Sequence, residues 1–437
     1  MSEAGTDEAS RGATQVSRAA TSAGAVAAFG ILIVAFTLRT AVTSVPPLTA
    51  DISKELFLPT WLVGILGMLP TALFGIAGLV TPTFMRRWSV EALAIASMVA
   101  AGVGQAMRAF APSTWLFLVG SALALAGMGA GNVVLPPMVK KYFPRRIGLM
   151  TALYVTVISL GTTVPPLLAV PVADVAGWRT SIGSWALLNV VAMIPWLGPW
   201  ARRGAPSSSP RARATTAPEP PHAVVRPWRS PAAWAFALLF GCTSLNTYAL
   251  FAWLPSIAAG AGLSAGDAGL QLAIFSGLGL PISLVVPLLA GRLRNPFAVV
   301  AFGVTCFVAG YLGLWLAPGT ATTLWSTLAG LGPATFPLAL VLINLRTRSH
   351  RASGAVSGFA QGIGYTVACS GPLLAGILHD ATGGWTASFA FLGVTLVVLA
   401  VAGWVICRPR YIDDDPGVVS IVAEPARFQG GGTPPVG

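Results

Sequence analysis

Arg39 carries the strongest chemical signal in the sequence. It stands some 14 residues, or about 21 Å along a helix, into a first apolar stretch spanning 25–48. A charge that far inside a span is costly unless it faces a cavity, a partner or the headgroups, so it is a functional candidate by default. No acidic residue occupies a comparably deep position. A guanidinium without a carboxylate partner can hold two acceptor atoms of a small anion or strongly dipolar solute in its planar fork. Two other roles stay open for it: snorkelling outward, and bonding to helix carbonyls.

Uncharged polar residues on apolar stretches supply weaker candidates, namely Thr43 and Ser44, Asn132, Asn246 and Tyr248, Gln361 and Tyr365. Each can give one hydrogen bond to a solute, or equally one to a neighbouring helix. Enzymatic chemistry has little to work with. His222, His350 and His379 fall between apolar stretches, and no His/Asp/Glu cluster or nucleophile with its base gathers at one membrane face. Cys242, Cys306, Cys369 and Cys407 lack the paired spacing of a metal or redox site, so no metal or cofactor is expected. Gly127, Gly129 and Gly131 lie inside an apolar stretch and not after a strand, which argues for close helix packing and against a phosphate loop.

The elements that must position these side chains are membrane helices. Of 437 residues 55% are apolar and 9% charged, far from the composition of a soluble domain. Apolar stretches fall near 25–48, 60–82, 90–110, 114–138, 147–171 and 180–201, then near 231–255, 267–290, 297–317, 320–344, 353–378 and 385–407. Each is long enough to cross a bilayer, giving twelve spans in two sets of six. The net charge of +12 lies in loops: Arg86/Arg87, Lys140/Lys141/Arg145/Arg146, the central linker, Arg292/Arg294 and Arg346/Arg348/Arg351 occupy every second one. Those loops are expected to be cytoplasmic, with both termini on their side of the inner membrane. The excess basic charge thus reads as an orientation signal, leaving no surface for nucleic acid.

The expected organisation is a disordered N-terminal tail (1–23), a six-helix bundle (24–201), a Pro/Ser/Arg-rich linker (202–230), a second six-helix bundle (231–407) and a disordered C-terminal tail (408–437). The bundles repeat. Arg145, Gly148, Pro166, Asp174 and Gly177 recur as Arg351, Gly354, Pro372, Asp380 and Gly383, each displaced by 206 positions. Parallel halves with a site between them near the midplane are a transporter arrangement. Proton coupling would require Asp51 or Asp267, near outer helix ends, or the solute itself to carry the proton.

Several segments together carry a family likeness: Leu38-Arg39-Thr40-Ala41-Val42-Thr43-Ser44-Val45-Pro46-Pro47-Leu48, Gly131-Asn132-Val133-Val134-Leu135-Pro136, Phe143-Pro144-Arg145-Arg146-Ile147-Gly148-Leu149-Met150-Thr151 and Gly177-Trp178-Arg179. In the second half His379-Asp380 and Thr382-Gly383-Gly384-Trp385 join them. On these residues the chain, over 25–405, resembles a major facilitator superfamily member of the cyanate permease and 2-nitroimidazole transporter family. The resemblance implies the twelve-helix major facilitator fold and places Arg39 in the translocation path. It also implies a gating end built from Gly78, Arg86 and Arg87, with Arg145, Arg146 and Arg351 in the corresponding loops of the two halves. Pro82 stands where the superfamily's loop aspartate is expected and Thr40 where the family's proline is, so the cytoplasmic latch and the bend of helix one should differ. The implied activity is secondary active or facilitative transport of a small polar or anionic organic solute, such as a cyanate-like ion, a small carboxylate or a nitro-heterocycle. Export of drugs or heterocycles, and a receptor that moves nothing, are the competing expectations.

Overall fold

The computed structural model describes residues 24–201, 223–293, 295–348, 350–415 and 419–421. The expected N-terminal tail and residues 202–222 of the linker lie outside it. Among the described residues, ten helices are long and apolar enough to cross a membrane. In chain order these include α1 (Gly24–Glu55), α2 (Thr60–Phe84), α3 (Val90–Ala109) and α4 (Thr114–Tyr142). The helix Ile147–Ala201 holds two crossings, α5 (147–176) and α6 (178–201), turned at Gly177, whose φ of 81° suits a residue without a Cβ. The second half brings α7 (Pro231–Gly260), α8 (Ala265–Ala290), α9 (Phe297–Leu316), α10 (Thr322–Leu345) and α12 (Thr386–Cys407). Between the last two runs α11 (350–382), broken at Cys369 and studded with Ser357, Gln361 and Thr366, which completes the twelve.

Side-chain caps start the helices where the sequence offers serine. Ser89, Ser113, Ser230 and Ser264 accept from backbone N–H groups of the first turns of α3, α4, α7 and α8. Within the first half, small residues let backbones approach: Gly104 meets Ala124 and Gly120, Gly127 meets Ala101, and Gly129 meets Phe74 and Ala77. Gly131 lies against Leu38. The glycine series on α4 is therefore a packing surface, as its context in the sequence indicates.

The contacts described between the halves lie at one end and near the middle. At the end opposite the basic loops, Gly64 and Gly67 of α2 abut Pro372 and Leu373 of α11, and Gly269 of α8 abuts the Pro166 carbonyl of α5. Nearer the middle, the Thr71 hydroxyl lies 3.2 Å from Cys369 Sγ, and Ser276 Oγ donates to the Thr162 carbonyl at 3.4 Å. At the basic end Gly78, Gly148, Gly354 and Gly358 have open space on the side a Cβ would occupy. Arg86, Arg87, Arg145 and Arg146 are exposed there, and the Arg351 side chain lies outside the description.

The expectation of a disordered tail from 408 gives way over its first residues. Ile412 is buried and its N–H donates to the Arg346 carbonyl at 2.9 Å, while Asp413 accepts from the Arg348 N–H and Asp414 pairs with its guanidinium. Asp415 accepts from Ser230, and the strand β1 (Ala223–Val225) pairs antiparallel with β2 (Val419–Ile421). The end of the linker and the start of the tail thus brace the basic end of the second half. One buried isoleucine and a few paired aspartates suffice where composition alone suggests no core.

Candidate functional site

The site begins with a break in α1. Leu38 and Arg39 form a turn, with Leu38 N bonded to Ala35 O at 3.4 Å, and a new short helix, Thr40–Thr43, starts with Arg39 at its N-cap. Thr37 and Thr40 return their hydroxyls to carbonyls of the preceding turn, at 2.8 and 3.0 Å, which favours bending. Pro46 and Pro47 then impose a 3-10 turn before the helix resumes to Glu55. The consequence is that Arg39 leaves the helical cylinder half-buried, its guanidinium 4.7 Å from the centre of the Phe74 ring on α2. Its Nη1 donates to the Leu38 carbonyl at 3.2 Å.

Across the interface stand Tyr248 of α7 and Tyr365 of α11, close enough for the Arg39 charge to act on both phenols. Edge-on contacts fix the rings, Tyr248 against Phe251 at 5.5 Å and Tyr365 against Phe240 at 5.2 Å. Gly75, next to Phe74, lies beside the Tyr365 Cβ and lets α2 and α11 meet at this level. Among the described residues no carboxylate pairs with Arg39, and neither phenol hydroxyl has a hydrogen-bond partner. Cation, aromatic face and two spare hydroxyls can therefore hold a small anionic or dipolar group, with the charge-assisted bonds coming from one half and the hydroxyls from the other.

The remaining sequence candidates divide. Asn132 is half-buried, one turn along α4 from Gly129 where that helix meets Phe74, and its amide has no partner among the described residues. Gln361 is half-buried and donates to Ser357 Oγ at 2.8 Å, its carbonyl oxygen having no partner among the described residues. Thr43 and Asn246 are bonded within the protein in this conformation. Thr43 is fully buried and turns its hydroxyl to the Arg39 carbonyl. Asn246 is fully buried in the second half, its amide donating to the Cys242 carbonyl and Thr395 Oγ1, both at 2.8 Å, and accepting from the Tyr311 hydroxyl at 2.7 Å. Asn246→Ala should leave that buried hydroxyl unpaired and cost about 1–3 kcal/mol of stability, read as a lower unfolding temperature, with solute affinity unchanged.

Sequence reasoning missed three residues. Phe74, an ordinary apolar residue, gave no signal beyond its type. Glu91, in the first turn of α3, is fully buried and tied to Lys141 and Tyr142 near the basic end. Arg108 reads as a loop-edge residue but is only 2% exposed. Its position is covered because α1 runs on to Glu55 and because Arg179 folds over the end of α3, donating to the carbonyls of Ala109 and Ala111 at 3.0 and 2.9 Å.

Residues 27–370 match the family model described as Major Facilitator Superfamily. The chain belongs to that superfamily. Among curated relatives, superfamily likeness is accompanied by 32% identity over 384 residues to the 2-nitroimidazole transporter of Escherichia coli, covering 87% of this chain and 94% of that one. The cyanate transport protein CynX of Escherichia coli is 27% identical over 377 residues, covering 85% and 94%. A solved D-xylose–proton symporter shares the fold with a TM-score of 0.63 at 15% identity, covering 87% of this chain and 96% of its own. This superfamily protein is a multi-pass membrane transporter, and its two six-helix halves are those of the major facilitator fold.

Proposed function

We propose that this transporter moves a small organic anion, or a compact planar solute with a strongly dipolar group, by alternating access, holding it between the halves at Arg39, Tyr248 and Tyr365. The observation that carries the reading is the half-buried Arg39 guanidinium, seated on Phe74 without a carboxylate partner among the described residues and facing two phenols whose hydroxyls are unspent. A solute that satisfies groups from both halves draws them together, which is the differential contact that a change of state requires. The rings of Phe74, Tyr248, Phe251 and Tyr365 favour a flat solute, and the named relatives carry a nitro-heterocycle and cyanate.

The basic loops orient the protein with its open end and both termini toward the cytoplasm of the cell membrane, so that this conformation faces inward. Asp51 and Asp267 are each engaged locally at the closed end, with Lys54 at 2.7 Å and Ser264 at 2.6 Å. If transport is coupled to protons, the solute's own acid group is the carrier this reading favours over Asp51 and Asp267. Proteoliposomes loaded with benzoate, cyanate or 2-nitroimidazole test the proposal by counterflow of the labelled solute. Saturable exchange of at least one of them, inhibited by the others and not by a neutral sugar or an organic cation, is the expected result. Exchange of the cation or sugar with none of the three would overturn it.

A further inference from the structure

Arg108 is a second arginine within the membrane, and its surroundings account for little of it. On α3 it donates one of five N–H groups, from Nη1, to the Ala41 carbonyl at 3.2 Å, in the disturbed part of α1. The Phe117 ring centre lies 5.4 Å from its Cζ. Its Nε is fully buried without a partner, as are both amide atoms of Gln105, three residues earlier on the same side of the helix, and the hydroxyl of Ser44. Nη2 has no partner among the described residues either. Arg108 borders a cavity of about 40 Å³, room for about two or three waters, which Thr49, Ser121 and Tyr248 also line. Tether and ring explain where Arg108 sits. They leave a buried cation that, among the described residues, has no carboxylate partner and donors to spare beside a cavity, an arrangement that suits an anion.

The cavity stands in series with the Arg39 site. Its wall on α2 is formed by Gly67 and Pro70, one turn from the Phe74 that carries Arg39, and Tyr248 belongs to both places. It lies on the closed side, next to the contacts that Gly67 makes with Ala252 and Pro372. We propose that Arg108, with Ser121 and Tyr248 on the same cavity, is a second anion subsite of the transport path, exposed when the closed end parts and taking a compact monoanion, a carboxylate or a linear ion of pseudohalide size. The two arginines then form a ladder on which an anionic group passes between the closed and open sides without losing a cationic partner. This rests on the reading of Arg39 as a solute site and extends it by one rung.

Thiocyanate is the probe, followed by equilibrium dialysis of the labelled ion against purified full-length protein in lipid nanodiscs, with thermal unfolding to establish that each variant is folded. Arg39→Ala leaves Arg108 untouched and should still bind saturably. Adding Arg108→Gln to it should abolish that residual binding, and adding Arg108→Lys in its place should weaken it about tenfold by removing the planar fork. Should Arg39→Ala bind nothing while Arg108→Gln alone keeps wild-type affinity, the second subsite is refuted and the Arg39 site stands. Wild-type affinity in Arg39→Ala together with loss in Arg108→Gln would uphold the subsite and remove Arg39. Residual binding that survives in the double variant, or no binding by the wild type, overturns the subsite.

Discussion

Arg39→Ala should abolish counterflow while leaving folded protein in the membrane, and solute affinity should fall at least about tenfold. A charge-assisted hydrogen bond is worth about 1.5–3 kcal/mol, and about 1.4 kcal/mol is a factor of ten. The fall is steep because, among the described residues, Arg39 is the cation whose charge acts on both Tyr248 and Tyr365. Arg39→Lys should bind weakly and transport slowly. It keeps a charge over Phe74 but offers a point donor where the solute meets a two-pronged fork. If the arginine instead served to snorkel or to tie off the Leu38 carbonyl, lysine would serve nearly as well and alanine would lower stability more than affinity. Titration of both purified variants, beside their unfolding temperatures, separates these outcomes. Unchanged affinity in Arg39→Ala takes the residue out of the site.

An equally large effect should follow from joining α2 to α11. The Thr71 hydroxyl and Cys369 Sγ already lie 3.2 Å apart across the interface of the halves, so cysteine at position 71 brings two thiols to bonding reach. In a chain whose other cysteines, Cys242, Cys306 and Cys407, have been replaced, oxidised Thr71→Cys should be locked with its far end closed and should fall to the exchange rate of empty vesicles. Reductant should restore it, and the reduced variant should exchange near the wild-type rate. The expectation follows from geometry: with this pair fixed, α2 and α11 cannot separate, and Gly64 and Gly67 stay pressed against Pro372 and Leu373. Full exchange by protein shown by mass spectrometry to be cross-linked would refute rocking of the halves about this contact.

The sequence by itself determined what depends on local composition. A run of about 20 apolar residues is a span whatever its neighbours, so twelve crossings, their division six and six, and the alternation of basic loops were all legible. Arg39 was legible for the same reason, since a charge in the middle of an apolar run stands out without any knowledge of its contacts. The glycine series on α4 was readable as packing residues because small size is a property of the residue. Only the tertiary structure decided which side of each helix meets which partner. Asn246 and Tyr248 lie two positions apart on α7, yet one is spent on Cys242, Thr395 and Tyr311 while the other faces Arg39. Residues two positions apart on a helix point some 200° apart, and nothing in the α7 sequence says which direction leads to the other half. Arg108 shows the same limit along the axis: by position it ends a span and should reach water, but the continuation of α1 to Glu55 and the arm of Arg179 close over it. Burial of a helix end is set by chain segments that are distant in sequence, and so a second buried cation became visible only in the fold.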